Sequence, residues 1–417
     1  MRVRIHRGAH EIGGSCLEVE AAGSRIVLDV GRPLSTEAGD ATPLPPVAGF
    51  AEDDPSLVGV LISHAHQDHW GLAELVPAAV PIYMGEATHR ILTEAAFWST
   101  GLTVKPAGFF RHRKPIRLGP FTVTPYLNDH SAFDAYSLLV EAGGRRLFYS
   151  GDLRGHGRKH DIFEQLLRRP PRDVDVLLLE GTNVQPDQAA PDHPPQTESQ
   201  VEQACVRTFK ATDGMVLALY SAQHIDRLVT LYRAALQSGR DFVMDLYGAS
   251  IAAATGNQHI PRPGAEWPRV RVYVPPSQRR KVKDAGAFWR VEQVRPFRIF
   301  EDELAQDRAR YVLTFRPNSF GFLEQARCLD RAQAVWSMWP GYLHEPSGVR
   351  LVSLLGSRSI PLTIHHTSGH ASIPDLQRLA QAIAPKALVP IHSFGAHRFQ
   401  ELFDNVAVQA DGQWWSV

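Results

Sequence analysis

Cysteine is nearly missing from this sequence. Its 417 residues hold three, Cys16, Cys205 and Cys328, far apart and odd in number. That pattern excludes a disulfide framework and a cysteine zinc cage, and it fits a reducing cytoplasm. An excess of charge of one sign is missing too. Lys plus Arg number 44 and Asp plus Glu 44, so no global field draws the chain to nucleic acid, and such a partner must be met by local basic patches. No apolar run nears the roughly 18 residues of a membrane span. The N-terminal "MRVRIHRGAHEIGG" lacks the apolar centre of a signal peptide. A cytoplasmic location and no membrane partner are expected. There is no internal repeat and no low-complexity tract. With 44% hydrophobic and 21% charged residues, the chain has core enough for about two or three domains.

Histidine, by contrast, is plentiful: there are 19, several in short clusters. The densest is "LISHAHQDHWG", residues 61–71, where an apolar strand-like run enters His64, His66, Asp68 and His69. Four polar side chains in six positions are not satisfied cheaply in a core. Neutral imidazole and carboxylate are the ligands that zinc or manganese prefers. In a tight loop His64 and His66 project to one side and Asp68 and His69 to another, so one turn can serve two metals. The bland alternative is a solvated loop.

The chain around this turn alternates like an α/β protein. "SCLEVEAAGSRIVLDVG" is expected to be a hairpin turning at Gly23, and "AYSLLVEAGGRRLFYSGD" another turning at Gly143 and Gly144. "GLAELVPAAV" and "EATHRILTEAAFW" have helical spacing. "DVDVLLLEGTN" is a short apolar strand stopping at Glu180. Strand runs end on Asp29, His64, Asp152 and Glu180, and polar groups at strand ends are how α/β folds build sites. The stretch 185–200, "QPDQAAPDHPPQTESQ", is a connector. After it Thr197 caps a helix, and strands and helices alternate as a second, parallel α/β unit to about Gly356. His130 in "LNDHSAFDAYS", Asp152 in "YSGDLRGHG" and His392 in "LVPIHSFG" each follow a strand-like run. Alone, each has a structural reason to be there; together they are candidate ligands.

These motifs resemble the metallo-β-lactamase superfamily, in particular its beta-CASP branch of ribonuclease J-like nucleases. "GAHEIGGSCLEVE" with Asp29, "HAHQDH", "DHSAFDAYS", "SGD", "LLLEGTN", "HHTSGHAS" and "PIH" stand in that family's order over nearly the whole chain. The resemblance implies a four-layer αββα metallo-β-lactamase sandwich with an inserted α/β beta-CASP cap. Residues 1–188 and 357–417 would form the core and residues 189–356 the cap. It implies that His64, His66 and His130 hold one divalent ion and Asp68, His69 and His392 a second, with Asp152 bridging. Zinc is the expected metal and manganese the alternative. Histidine at the position of His392 goes with RNA-cleaving members.

Two close ions lower the pKa of a shared water towards about 7 and stabilise charge on an attacked phosphorus. Asp68 would orient the nucleophile. His370 would protonate the leaving oxygen, held by Glu180. Thr367 and Ser368 are candidate phosphate contacts, as similar residues are in the family, and Arg154 and Ser221 are further candidates. The stretch 269–290, "RVRVYVPPSQRRKVKDAGAFWR", interleaves seven cations with aromatics. It is either a nucleic-acid track or a solvated charged face. The expected activity is two-metal hydrolysis of single-stranded RNA. A thioester or lactone-type hydrolase, a DNA nuclease and a metal-free scaffold are the competing expectations, and a homo-oligomer remains open. No preceding RNA-binding domain and no further C-terminal domain are expected.

Overall fold

The computed structural model describes residues 1–36, 41–99, 103–187 and 195–417. By its contacts the chain forms two compact units. The first is Met1–Thr93, Leu102–Pro194 and Gly369–Val417, and the second is Glu94–Gly101 and Pro195–Ser368. The expected junction at 188–189 and the middle of the connector around it, residues 188–194, lie outside the described residues.

In the first unit the strands are β1 (Arg2–Arg7), β2 (Cys16–Ala21), β3 (Ser24–Leu28), β4 (Leu57–Leu61), β5 (Ile82–Gly85), β6 (Gly108–Phe110), β7 (Ile116–Leu118), β8 (Phe121–Leu127), β9 (Tyr136–Ala142), β10 (Arg145–Tyr149) and β11 (Val176–Glu180). The second unit holds β12 (Val216–Leu219), β13 (Asp241–Asp245), β14 (Val270–Tyr273), β15 (Tyr311–Thr314), β16 (Gln333–Trp336) and β17 (Leu362–Ile364). The chain then returns to the first unit for β18 (Ala387–Ile391) and β19 (Trp414–Ser416).

Two sheets build the first unit, ordered β19-β1-β2-β3-β4-β5-β6 and β18-β11-β10-β9-β8-β7. Their inner faces share one core. Val3, Ile5, Val19 and Leu28 of one sheet join Val123, Leu138, Val140, Leu178 and Val389 of the other. The period of two sends their neighbours outward. Leu139, Phe148, Leu177 and Leu179 pack under Phe163, Leu166, Leu376 and Leu379, which lie on helices His160–Arg168 and Ile373–Ile383. Val27, Val60 and Ile62 pack under Trp70, Leu72 and Leu92. The result is four layers, α/β/β/α, the sandwich that the motifs lead one to expect.

The second unit carries a six-stranded sheet, β14-β13-β15-β12-β16-β17, parallel at every pairing. Its central strands β12, β13, β15 and β16 are buried along nearly their whole length, as strands covered on both faces are. β17 is its edge strand, so this unit reaches Ser368 rather than ending near Gly356. Thr197 caps helix Glu198–Lys210 with a reciprocal bond to Gln200, as expected.

One element differs from the sequence reading. "GLAELVPAAV" holds only a single 3-10 turn, Ala73–Leu75. Val76 precedes Pro77, and the proline ring forces it into an extended conformation (ψ 133°) that no helix continues through. Among the described residues no helix is long and apolar enough to cross a membrane.

Candidate metal centre

Most candidate ligands of the first unit stand in loops that follow strands, while Asp68 and His69 lie on the short helix Gln67–Trp70. His64 and His66 follow β4, His130 follows β8, Asp152 follows β10, and His392 follows β18. The turn that carries Asp68 and His69 is clamped by backbone bonds. Ser15 N donates to Asp68 O (3.0 Å) and Val30 N to His69 O (2.9 Å). Gly31 makes this clamp feasible, because a Cβ there would sit 1.8 Å from Asp68 O. Gly151 does the same service before Asp152: its φ is +53° and a Cβ would meet Tyr136 O at 2.8 Å.

The side chains converge on Asp152. Its Oδ2 lies 3.2 Å from His69 Nε2, 3.6 Å from His64 Nε2 and 3.9 Å from His130 Nε2. Its Oδ1 is 3.8 Å from His392 Nδ1. His130 Nε2 is 3.1 Å from His66 Nδ1, and His392 Nε2 is 3.2 Å from Asp68 Oδ2. Three groups result, each with ligand atoms within 4.8 Å of one another: His64, His66, His130 and Asp152; Asp68, His69 and His392; and Asp152, Glu180, His370 and His392.

Most imidazoles are fixed from behind. His69 Nδ1 lies 2.8 Å from Asp29 Oδ2, His64 Nδ1 3.0 Å from Ser63 Oγ, and His130 Nδ1 2.6 Å from the carbonyl of Gly369. His392 Nδ1 is 2.9 Å from Thr182 Oγ1. An outer partner that fixes the ring and its tautomer is the usual accompaniment of a metal-binding histidine. Asp29 is itself built in, accepting from Ser63 N, Ser63 Oγ and Tyr149 Oη at 2.6, 2.7 and 2.5 Å. Asp29 and His392 both sit at positive φ, +60° and +51°, a strain that persists only where surroundings enforce it.

What these residues lack is a partner in front. His64 Nε2, His69 Nε2 and both carboxylate oxygens of Asp152 are buried without a well-directed hydrogen bond among the described residues. Buried polar atoms left so are rare and costly. A divalent ion would satisfy them. With zinc–nitrogen bonds of about 2.0–2.1 Å, tetrahedral ligand atoms stand roughly 3.3 Å apart, close to the shortest separations seen here. The donor set is imidazole and carboxylate, right for zinc or manganese.

Protonation agrees with that fit at three of the imidazoles, while at His69 burial is outweighed by the charges of Asp152, Asp29 and Asp68, which hold it well above its ordinary range until a cation displaces its proton. Burial, joined by its neighbouring imidazoles, holds His64 well below its ordinary range. Burial does the same to His130, and it drops His66 to about 4. All three are neutral lone-pair donors at pH 7. Asp152 is pushed well down: burial opposes its charge, but the charges of His69, His392 and His370 outweigh it. His370 goes the other way. Burial opposes its charge, yet Glu180 and then Asp152 raise it to about 9. Its Nδ1 lies 3.3 Å from Glu180 Oε1.

The expected phosphate contacts fare differently. Arg154 is wholly buried, with Nε 3.5 Å from Asp129 Oδ1. It ties the loop after β10 to the loop carrying His130. Its backbone N also donates to Asp129 O (2.7 Å). Thr367, in the second unit, is buried with its hydroxyl donating to the carbonyl of Gln196. Ser368 is half-buried in that unit. Ser221 is exposed just beyond β12; the helix there starts at Ile225 and is capped by His224, not by Ser221. Sequence reasoning missed Ser63, Tyr149 and Thr182. Ser63 and Thr182 do adjoin motif residues, which was the only signal available.

Comparison with known proteins follows the same line. The model of the "Beta-lactamase superfamily domain" matches residues 25–247. Ribonuclease J of Sinorhizobium meliloti is 23% identical over 380 residues, covering 85% of this chain and 61% of the relative. Ribonuclease J of Helicobacter pylori strain B128 is 23% identical over 414 residues, covering 92% and 55%. That of Mycobacterium tuberculosis is 26% identical over 253 residues, covering 58% and 43%. The chain thus spans about half the length of the curated relatives it matches. A solved protein of unknown function from Enterococcus faecalis V583 has the same fold, with a TM-score of 0.80 at 20% identity and 99% of both chains covered.

Proposed function

Since this chain belongs to the β-lactamase superfamily, we propose that its buried cluster is a divalent-metal centre that hydrolyses phosphodiester bonds in single-stranded RNA. The observation that carries this reading is the convergence of unsatisfied ligand atoms on Asp152. In our reading two ions bind, zinc or alternatively manganese. His64, His66 and His130 hold one, Asp68, His69 and His392 the other, and Asp152 both. RNA as substrate is favoured by His392 and by the ribonuclease J names of the relatives. The second unit is the cap of this reading, residues 189–356 in the sequence-based division, with β17 and the segment to Ser368 added by its contacts.

Divalent ions held by these residues would supply Lewis acidity, for activating water near neutral pH and offsetting charge on a phosphoryl group. The rest falls to side chains. Asp68 is held as a carboxylate, burial opposing but His69 and His392 prevailing, and it orients the attacking water. His370 is protonated at neutral pH and gives its proton to the departing oxygen. Glu180 takes the Nδ1 side of the ring, so the transferable proton is the one on Nε2. Glu180 is fixed for this task, its Oε1 accepting from Leu153 N and its Oε2 from Thr182 N at 3.1 and 3.2 Å. On the second unit we place a phosphate contact at Ser221, at the carboxyl end of β12 where parallel sheets bind ligands.

The test is elemental analysis of protein purified without chelator, with labelled RNA, single-stranded DNA and a thioester assayed side by side. Two equivalents of metal and cleavage of RNA are expected. A folded protein that stays metal-free in excess zinc or manganese defeats the reading. Thioester hydrolysis with no cleavage of RNA defeats it equally.

A further inference from the structure

The basic stretch 269–290 reads differently once its partners are known. Arg269 donates to Asp241 (2.7 Å), Arg271 to the carbonyl of Arg298 (2.9 Å), and Arg279 to Glu301 (3.2 Å). Lys281 lies over the ring of Phe97 at 5.8 Å. Arg290 is paired with Glu94. Only Arg280 and Lys283 have side chains without an ion pair, hydrogen bond or ring contact among the described residues, and both are exposed. They stand three apart on helix Pro276–Asp284 and so share a face.

Just beyond that helix two large aromatic residues face solvent, Phe288 at 59% and Trp289 at 53% exposure. The chain reaches them through a tight stop. Ala287 N donates to Val282 O at 2.9 Å, which brings Phe288 and Lys283 to within one residue of either side of a hydrogen bond. Trp289 is not loosely exposed. The guanidinium of Arg290 stacks against its ring at 4.5 Å and against Phe97 at 4.0 Å, and Glu94 anchors that guanidinium. One side of the indole is thus held and the rest offered to solvent. From residue 279 to residue 290 there are five cations and a single acid, Asp284.

We propose that Phe288 and Trp289, flanked by Arg280 and Lys283, form a platform on which bases of a single-stranded nucleic acid stack while the two cations meet its phosphates. This rests on the RNA reading above and names a substrate surface outside the metal centre. Exposed aromatic faces beside unpaired cations are what sequence-tolerant single-strand binding uses, and a positive surface selects an anionic polymer over an apolar protein partner.

The test is fluorescence anisotropy of a labelled, hydrolysis-resistant phosphorothioate oligouridylate on the metal-loaded protein. Phe288→Ala and Trp289→Ala should each weaken binding by roughly 5- to 100-fold, while Trp289→Phe keeps most of the affinity. Arg280→Ala with Lys283→Ala should flatten the log–log salt slope by about 1.4. Thermal unfolding midpoints confirm that the variants fold. Equal affinity for Trp289→Ala and wild type overturns the proposal, as does a wild type that does not bind the probe. Self-association that Trp289→Ala abolishes, with RNA affinity unchanged, overturns it too and makes the face a contact between copies. Binding through Trp289 with no RNA cleavage keeps the platform and removes the nuclease reading. Intact RNA cleavage with no change of affinity across the variants removes only the platform.

Discussion

Asp152 in the first unit and Glu198 in the second are both carboxylates buried to within 2% of complete, and their surroundings are opposite. Glu198 is met by bonds. Arg227 grips both its oxygens, at 3.0 and 3.2 Å, and Thr230 Oγ1 donates at 2.7 Å. Arg227 is in turn tied to Ser337 O and Oγ at 2.7 and 2.8 Å. Around Asp152 stand five histidines within 4 Å, and no well-directed hydrogen bond reaches either oxygen among the described residues. A bidentate ion pair with every oxygen satisfied is a closed structural element. A carboxylate faced by the Nε2 atoms of three imidazoles whose Nδ1 atoms are already held has the arrangement a metal ligand needs. The contrast is between a buried charge closed by protein partners and, on the reading proposed above, one left open for a metal ion.

Substituting each carboxylate is the strongest way to break that comparison. Asp152→Ala should lower bound metal from about two ions towards one or none, and slow RNA cleavage by on the order of 10³–10⁵-fold, the scale of several kcal/mol of lost charge stabilisation. Zinc at about a hundred times its Kd should raise the stability of wild type by about 2.7 kcal/mol and that of Asp152→Ala hardly at all. Glu198→Gln should do the reverse. It leaves Arg227 buried without its counter-charge and so costs about 3–5 kcal/mol, while metal content and the response to zinc persist. Calorimetry with and without zinc, beside elemental analysis, reads both. An Asp152→Ala protein that keeps two ions would show that the comparison is wrong.

His370→Ala comes next in size. It should retain both metals while the chemical step slows by about 10²–10⁴-fold. His370 also falls in a group with Asp152, Glu180 and His392 whose atoms lie within 4.8 Å. Loss of an ion on this substitution would therefore make it a ligand and reverse its role with respect to His392. A smaller effect is expected at Thr182. Removing the hydroxyl in Thr182→Val frees His392 Nδ1, and metal affinity should fall by roughly 10- to 100-fold, measured by competition with a chelator of known affinity. Unchanged affinity would mean that the strand end alone, with His392 at positive φ, fixes the ring.

The same two carboxylates show which parts of the protein the sequence displays. Asp152 and the turn at His64 to His69 are legible because ligand chemistry is local: several metal-binding side chains crowded into a few positions rarely serve packing. The strands that present them are legible by their period of two. Glu198 is visible only as a helix-start residue after Thr197, because its meaning lies with Arg227, Thr230 and Ser337, brought close by folding. Tyr149 bonding to Asp29 across 120 residues is hidden for the same reason. The burial of Arg154 beside Asp129 is hidden too, because a basic residue after a ligand reads the same whether solvent or a carboxylate faces it. The segment from Gly71 to Val80 has helical spacing, and Pro77 overrules it.

The smallest and most specific effect concerns pH. Glu180 and Asp152 lift His370 from its ordinary 6.5 to about 9 against the burial that opposes its charge. The sign follows from which form is needed. A proton donor works when charged, so activity is present below the folded pKa and is lost as pH rises through it. Bound cations push an imidazolium down, so the alkaline limb of kcat/KM should fall at or below pH 9. In Glu180→Gln the main raising charge is gone, and the limb should move to lower pH by about one unit or more, a change of about 1.4 kcal/mol in the free energy of protonation. The charged His370 also stabilises the fold, fully below pH 6.5 and progressively less as pH rises through 9. The thermal midpoint of wild type over that window should therefore fall more steeply than that of Glu180→Gln. Superimposable pH profiles would mean that Glu180 holds the loop at Leu153 and Thr182 rather than the proton on His370.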